Sequence, residues 1–329
     1  KEAIREEPRV IHISCHGRNP KKGYALKFED KLYETQLQDI SWTLGRTGVL
    51  TPVAIFNPVE INGNTITRAN LHNISIMNAL LDTPYIGQEL TVYKANQIIP
   101  QVLTAAPIKE GMDINEIKIP EICPYCGGKV EIKNDNITEV LMCMNTTCNG
   151  QLINRLDHFC GIKGLNIKGL SKATLEKLIN WEWITDLNDI FLLDCHREQW
   201  IQKSGFGVAS VDKILNAIEK GRCCTTDKFI CALGIPLIGK VASQALTRVF
   251  GNYKDFRIAI DNKDERLYDI DGIGEVMIDK LLNFDYTIAD KIYDLYIEEA
   301  AAAKISNDNV LEGKTFVITG KTKYYKKRD

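Results

Sequence analysis

Four cysteines carry the clearest chemistry in this 329-residue chain. Cys123-Pro124-Tyr125-Cys126 is followed, one hairpin's worth of chain later, by Cys143 and then Cys148. Two close pairs at that separation suit a tetrahedral four-thiolate zinc site, closed to substrate and structural. Gly127-Gly128 falls where such a knuckle must turn sharply. The alternatives are a pair of disulfides or four free thiols. No apolar segment near residue 1 reads as a secretory signal, so the spacing favours zinc in a reducing compartment. The remaining cysteines (15, 160, 195, 223, 224 and 231) lack ligand spacing and read as small core or surface residues.

A second candidate is Lys27. Tyr24, Leu26 and Phe28 share one face of a predicted strand, Ala25 and Lys27 the other. A small residue beside one lysine leaves room for a ligand, but from the residues alone a solvated lysine on an edge strand is the favoured reading. A third is the run Leu44-Gly45-Arg46-Thr47-Gly48-Val49, in which two glycines allow close backbone approach and hold Arg46 out.

The fourth candidate repeats. Gly169, Gly205 with Gly207, Gly239, and Gly272 with Gly274 each precede a predicted helix with an apolar face. Glycines at a helix start expose backbone amides where the helix dipole is positive, which suits a phosphate. Amides hold phosphate oxygens and read no base. The plainer alternative is that these glycines only permit tight turns between helices.

The elements that must position these residues follow from the pattern. Residues 38–110 read as short strands with one inserted helix over Leu71–Leu81 and an Asn62-Gly63 hairpin tip, as in a five-stranded oligonucleotide-binding barrel. Pro100 is expected to interrupt the last strand. Residues 153–300 read as helix, and 298–309 as a helix end running into a polar linker. The expected fold is multidomain α+β: barrel, four-cysteine finger, all-α helix–hairpin–helix region.

Composition bounds the partners. Lysine plus arginine number 41 against 43 acidic residues, a net charge of −2, so any nucleic-acid surface must be local. No uncharged apolar run approaches the roughly 18 residues of a membrane span. The start at Lys1 and a last pattern that breaks off suggest a fragment, or one piece of a split protein.

In this order, the motifs resemble the C-terminal half of bacterial NAD-dependent DNA ligase. Residues 45–54 look like that family's barrel signature, and Ala69-Asn70-Leu71-His72-Asn73 and Ile99-Pro100-Gln101-Val102 like later barrel motifs. Leu233-Gly234-Ile235 and Val249-Phe250-Gly251 resemble its helical region, and residues 313–320 the first strand of its BRCT domain. Ala25-Leu26-Lys27-Phe28 looks like its last nucleotidyltransferase motif, which implies that Lys27 touches the adenylate phosphate.

The resemblance implies five parts: 1–34, the end of an adenylation domain; 35–110, the barrel; 111–152, the zinc finger; 153–300, four hairpin units; and 301–329, a linker and BRCT start. It implies a cytoplasmic enzyme of DNA replication and repair that uses NAD and Mg2+ to seal 5′-phosphate/3′-hydroxyl nicks in duplex DNA. Lys27 would serve catalysis and cofactor binding. Arg46, Thr47 and the hairpin glycines would contact DNA, and zinc would sit on the four cysteines.

The family's nucleophilic Lys-x-Asp-Gly is missing. The one Asp-Gly is Asp271-Gly272, with Asp269 where the lysine should stand. The chain alone is therefore expected not to accept AMP, and an N-terminal adenylation module is an expected partner. The alternatives are a non-catalytic DNA clamp acting alone and, less suited to the residues, a nuclease, for which no clustered acidic metal site is visible. At the barrel's last turn Asn96 replaces the family's glycine, and asparagine tolerates the same backbone.

Overall fold

The structure is a computed structural model and describes residues 10–12, 25–27, 30–109, 111–135 and 138–300. Strands β1 (Val10–His12) and β2 (Ala25–Lys27) pair antiparallel, Val10 opposite Lys27. Tyr24, Phe28 and Cys15, the side chain of Lys27, and everything after Ala300 lie outside what is described, including the BRCT-like strand.

The barrel consists of β3 (Tyr33–Leu44), β4 (Val49–Ile61), β5 (Asn64–Asn70), β6 (Glu89–Ala95) and β7 (Ile99–Ala105), with helix α1 (Ile74–Leu81) inserted. Alternation sends Leu50, Ala54 and Phe56 inward until the irregularity before Val59, after which Ile61 is the inward residue. A second irregularity lies between Leu37 and Asp39. Such breaks bend long strands, which a closing sheet requires. The core gathers Leu37, Ile40, Phe56, Leu71, Met77, Leu90 and Val102.

Both barrel turns behave as their residues demand. Asn62 and Gly63 both have positive φ (51° and 73°), as the twist-matched two-residue hairpin turn requires. Asn96 adopts φ 54°, so asparagine does serve at that turn.

Two local expectations need correction. The helix starts at Ile74, not Leu71: the Asn73 side chain accepts from the Ile76 amide at 2.8 Å and caps it. Pro100 does not interrupt a strand. It lies inside β7, opposite Lys94, on an edge of the sheet where a missing N–H costs nothing.

The sheet continues beyond the barrel. Strands β8 (Val130–Asp135) and β9 (Thr138–Cys143) form a hairpin, and β9 pairs with β4 through Val49–Met142 and Leu50–Leu141. Asn134 and Asp135 are the last residues of β8, opposite Glu139 and Thr138.

The helical part follows: α2 (Asn149–Cys160), α3 (Lys172–Asn180), a 3-10 stretch (Asn188–His196), α4 (Arg197–Ile201) and α5 (Val208–Arg222). Next come β10 (Cys223–Cys224), α6 (Thr226–Ala232), α7 (Lys240–Phe250), α8 (Tyr253–Asp261), a 3-10 turn (Glu265–Asp269), α9 (Glu275–Leu282), α10 (Thr287–Tyr296) and β11 (Glu298–Glu299). Their apolar faces build one continuous core around Leu156, Phe159, Leu175, Trp200, Phe229 and Phe256. No helix among the described residues is long and apolar enough to cross a membrane.

Candidate metal centre and nucleic-acid interface

The four cysteines converge. The sulfurs of Cys123, Cys126, Cys143 and Cys148 all lie within 4.8 Å of one another, and Cys126 Sγ is 3.6 Å from Cys143 Sγ. A tetrahedron with Zn–S bonds near 2.3 Å has sulfurs about 3.8 Å apart, so the donor set and its spacing fit that ion. The knuckle is closed by Gly127 N–H donating to Cys123 O at 2.8 Å and Cys123 N–H donating to Gly128 O at 2.7 Å. The Gly128 N–H also points at Cys126 Sγ, 3.4 Å away.

These surroundings separate the thiols. Burial opposes charge on Cys126, but the Gly128 amide, Asn145 and the neighbouring sulfurs outweigh it and bring Cys126 down to about 7. Burial pushes Cys148 up to about 12. A cation supplied to the site would reverse that penalty.

The cysteine site also joins the two halves of the molecule. Cys123, Cys143 and Cys148 share a core with Leu44 and Leu50 of the barrel, and Cys148 is the residue from which α2 begins. The Gly45–Gly48 segment is the β3–β4 turn, with Gly48 N–H donating to Gly45 O and Cys143 N–H donating to Gly48 O. From α2, Asn154 Nδ2 donates to Leu44 O at 2.8 Å, and Gln151 Nε2 reaches Cys143 O and Asn145 O.

Arg46 is not simply held out. Its Nε donates to Gly234 O at 3.2 Å, tying the barrel turn to the helical part. His158 of α2 hydrogen-bonds Cys231 O at 2.8 Å beside it. Burial first, then Arg46 and Lys163, pushes the His158 pKa below its ordinary value. A cavity of about 550 Å3 opens here, lined by Arg46, Asn154, Asp157, His158 and Lys163 among others. Thr47 sits exposed at the same turn.

The four glycine motifs share one backbone plan, in a different register from that of the glycines alone. Each helix start is preceded, two residues earlier, by a residue at positive φ: Gly169 (98°), Gly205 (85°), Leu237 (67°) and Gly272 (84°). The N-caps are Ser171, Gly207, Gly239 and Gly274, opening α3, α5, α7 and α9. Between them an apolar residue is drawn inward: Leu170, Phe206, Ile238 or Ile273. In the last three motifs its N–H donates back to the carbonyl three residues earlier, closing a turn: Phe206 to Lys203, Ile238 to Ile235, Ile273 to Ile270. Gly169 and Gly239 are thus not equivalent positions, and Leu237 holds the glycine-type conformation in the third turn.

Their surroundings also differ. A Cβ at Gly169 would fall 2.7 Å from Ile214 Cγ1, so that face is covered by α5. At Gly207, Gly239, Gly272 and Gly274 it would meet nothing within 4 Å. At Gly205 it would meet only Lys177 Nζ, at 3.7 Å.

Residues 34–113 match the NAD-dependent DNA ligase OB-fold domain. Proteins named DNA ligase are similar along nearly the whole chain. That of Ruminiclostridium cellulolyticum is 36% identical and that of Lachnoclostridium phytofermentans 37%, each over 94% of this chain. That of Finegoldia magna is 34% identical over the same share. The chain spans 46%, 47% and 46% of those three proteins, about half of each. The barrel match and this near-complete similarity make the chain similar to the C-terminal half of NAD-dependent DNA ligases.

Proposed function

We propose that this chain is the DNA-gripping half of a nick-sealing, NAD-dependent DNA ligase. The observation that carries this reading is the similarity to DNA ligases across 94% of the chain, alongside four equivalent helix starts, three of them with open glycine caps. The division is that of the sequence: residues 1–34 close an adenylation domain, 35–110 form the barrel, 111–152 a zinc finger, and 153–300 four helix–hairpin–helix units, with 301–329 leading into a BRCT domain.

In this reading the cap glycines let phosphates come up to helix-start amides, where the dipole adds attraction. Such contacts are independent of sequence, as an enzyme that meets nicks anywhere requires. Zinc on Cys123, Cys126, Cys143 and Cys148 would act as a crosslink, fixing the barrel sheet to the start of α2. Arg46 and Thr47 at the barrel turn would face the duplex near the nick. Lys27, in the role its motif implies, supplies positive charge to the adenylate phosphate. NAD and Mg2+ belong to the complete enzyme. The nucleophilic lysine and the nicotinamide site belong to an N-terminal adenylation module, covalently attached or separate.

The test is reconstitution. With labelled NAD, mass spectrometry of this chain alone should show no lysine–AMP adduct. A polypeptide carrying the N-terminal module should, when mixed with it, seal a nicked duplex, and Lys27→Ala should depress that sealing. An adduct formed on this chain without a partner overturns the assignment. DNA binding without sealing in the mixture favours the second reading, a clamp acting alone.

A further inference from the structure

The second of the four turns, Lys203–Phe206, stands on an aromatic pedestal. Trp200 is fully buried and packs edge-on against Trp183 (6.2 Å between ring centres) and Phe206 (5.6 Å). Trp181 touches both Trp183 (4.9 Å) and Phe206 (5.9 Å), and His196 stacks on Trp183 at 4.6 Å.

Two ammonium groups lie on this pedestal. Lys203 Nζ is 4.9 Å from the centre of Trp181 and 5.7 Å from that of Trp183, and Lys177 Nζ is 5.2 Å from that of Phe206. Lys177 Nζ also lies 3.7 Å from where a Cβ on Gly205 would stand, beside the turn's own backbone. Neither is ion-paired with a carboxylate among the described residues. They are the two lysines found over rings among those residues.

A ring face attracts an ammonium without neutralising it. It restricts the long side chain, so less rotamer freedom remains to be lost when an anion arrives. It also leaves N–H donors free on the side away from the ring. Two like charges on touching rings, with no carboxylate between them, gain from an anion placed beside both.

We propose that Lys177 and Lys203, positioned by Trp181, Trp183 and Phe206, anchor a DNA backbone phosphate at the second turn. The occupant is a phosphate rather than a stacked base, because Lys203 covers the indole faces a base would need. This deepens the DNA-binding reading of the chain and rests on it.

The test is binding of nicked duplex DNA to the full chain over a range of salt concentrations. The Lys177→Gln/Lys203→Gln double variant should lower the slope of log K against log salt by about 1, the counterion release of the one phosphate that the pair no longer neutralises. Lys203→Arg should retain the wild-type slope. Trp181→Leu keeps both charges but frees Lys203, so affinity should fall several-fold with the slope preserved. A double variant with wild-type slope and affinity overturns the anchor. If Gly274→Val weakens binding while the double variant does not, the anchor fails and the broader reading stands. If the wild type binds no duplex, both fail. The lysine substitutions leave the buried core untouched, so their outcome does not depend on the tryptophan variant folding.

Discussion

A Cβ added at Gly150 would fall 2.8 Å from Leu44 Cδ2 and 2.9 Å from Tyr125 Cβ, whereas one added at Gly207, Gly239 or Gly274 would meet nothing. At the cysteine junction, glycine is demanded from inside, by helix α2 pressing against barrel and knuckle. At the three caps, φ lies between −146° and −96°, a backbone any residue adopts. Neither packing nor conformation asks for glycine there. The difference separates a glycine that packing requires from glycines that stand open, which is what the proposed approach of a phosphate needs.

The largest expected effect is on the metal. Cys126→Ser should reduce bound zinc from about one per chain to near zero, since structural thiolate sites are closed four-coordinate sets. Metal analysis and hydrogen exchange across 120–150 check this. A chain that stays metal-free yet keeps the hairpin fully protected would remove zinc from the junction.

Next, Gly150→Val and Gly274→Val should part company. Overpacking at Gly150 should cost about 1–3 kcal/mol in urea denaturation. Gly274→Val should stay within about 0.5–1 kcal/mol of wild type, the range of an exposed substitution or a lost cap, and weaken DNA binding instead. Equal stability losses in the two variants would erase the contrast.

A smaller effect sharpens the open side. If the caps offer amides to phosphates as proposed, duplex affinity should fall linearly with log salt and vary little between base sequences. Fluorescence anisotropy on two unrelated duplexes reads both quantities. A strong preference for one duplex would point to base contacts.

The smallest concerns His158 on the closed side. Its pKa is lowered in the folded state, so the unfolded chain binds the extra proton first as pH falls. Stability should be fully present above the unfolded value near 6.5 and decline below it toward the folded pKa. Denaturation at pH 5 and pH 8 should show this, and His158→Gln should flatten it. An unchanged pH dependence in that variant would mean that another group titrates.

Much of this was legible in sequence because it is local. Cysteine spacing, the Asn62-Gly63 tip and the apolar residue of each turn depend on neighbours a few positions away. The register of the turns was less so: Gly169 and Gly239 share a residue type but occupy different backbone positions, two residues before the cap and at the cap. Arg46 reaching Gly234, 188 residues away, left no local trace. Nor did the aromatic pedestal, whose members are spread from Trp181 to Phe206.

The two-residue strands β10 and β11 pair in parallel, Cys223 opposite Glu298 and Cys224 opposite Glu299, and Ala300 N–H donates to Cys224 O at 2.9 Å. Glu299 further accepts from Thr226 and from the Tyr253 amide. A few hydrogen bonds therefore close a ring of chain holding α6 to α10 and the last two turns. Closing a ring that long costs only slightly more entropy than closing a short one, because the penalty grows with the logarithm of length. Its consequence is cooperativity: the third and fourth turns should open together, as a single unit in native-state hydrogen exchange, and Glu299→Ala should loosen both at once.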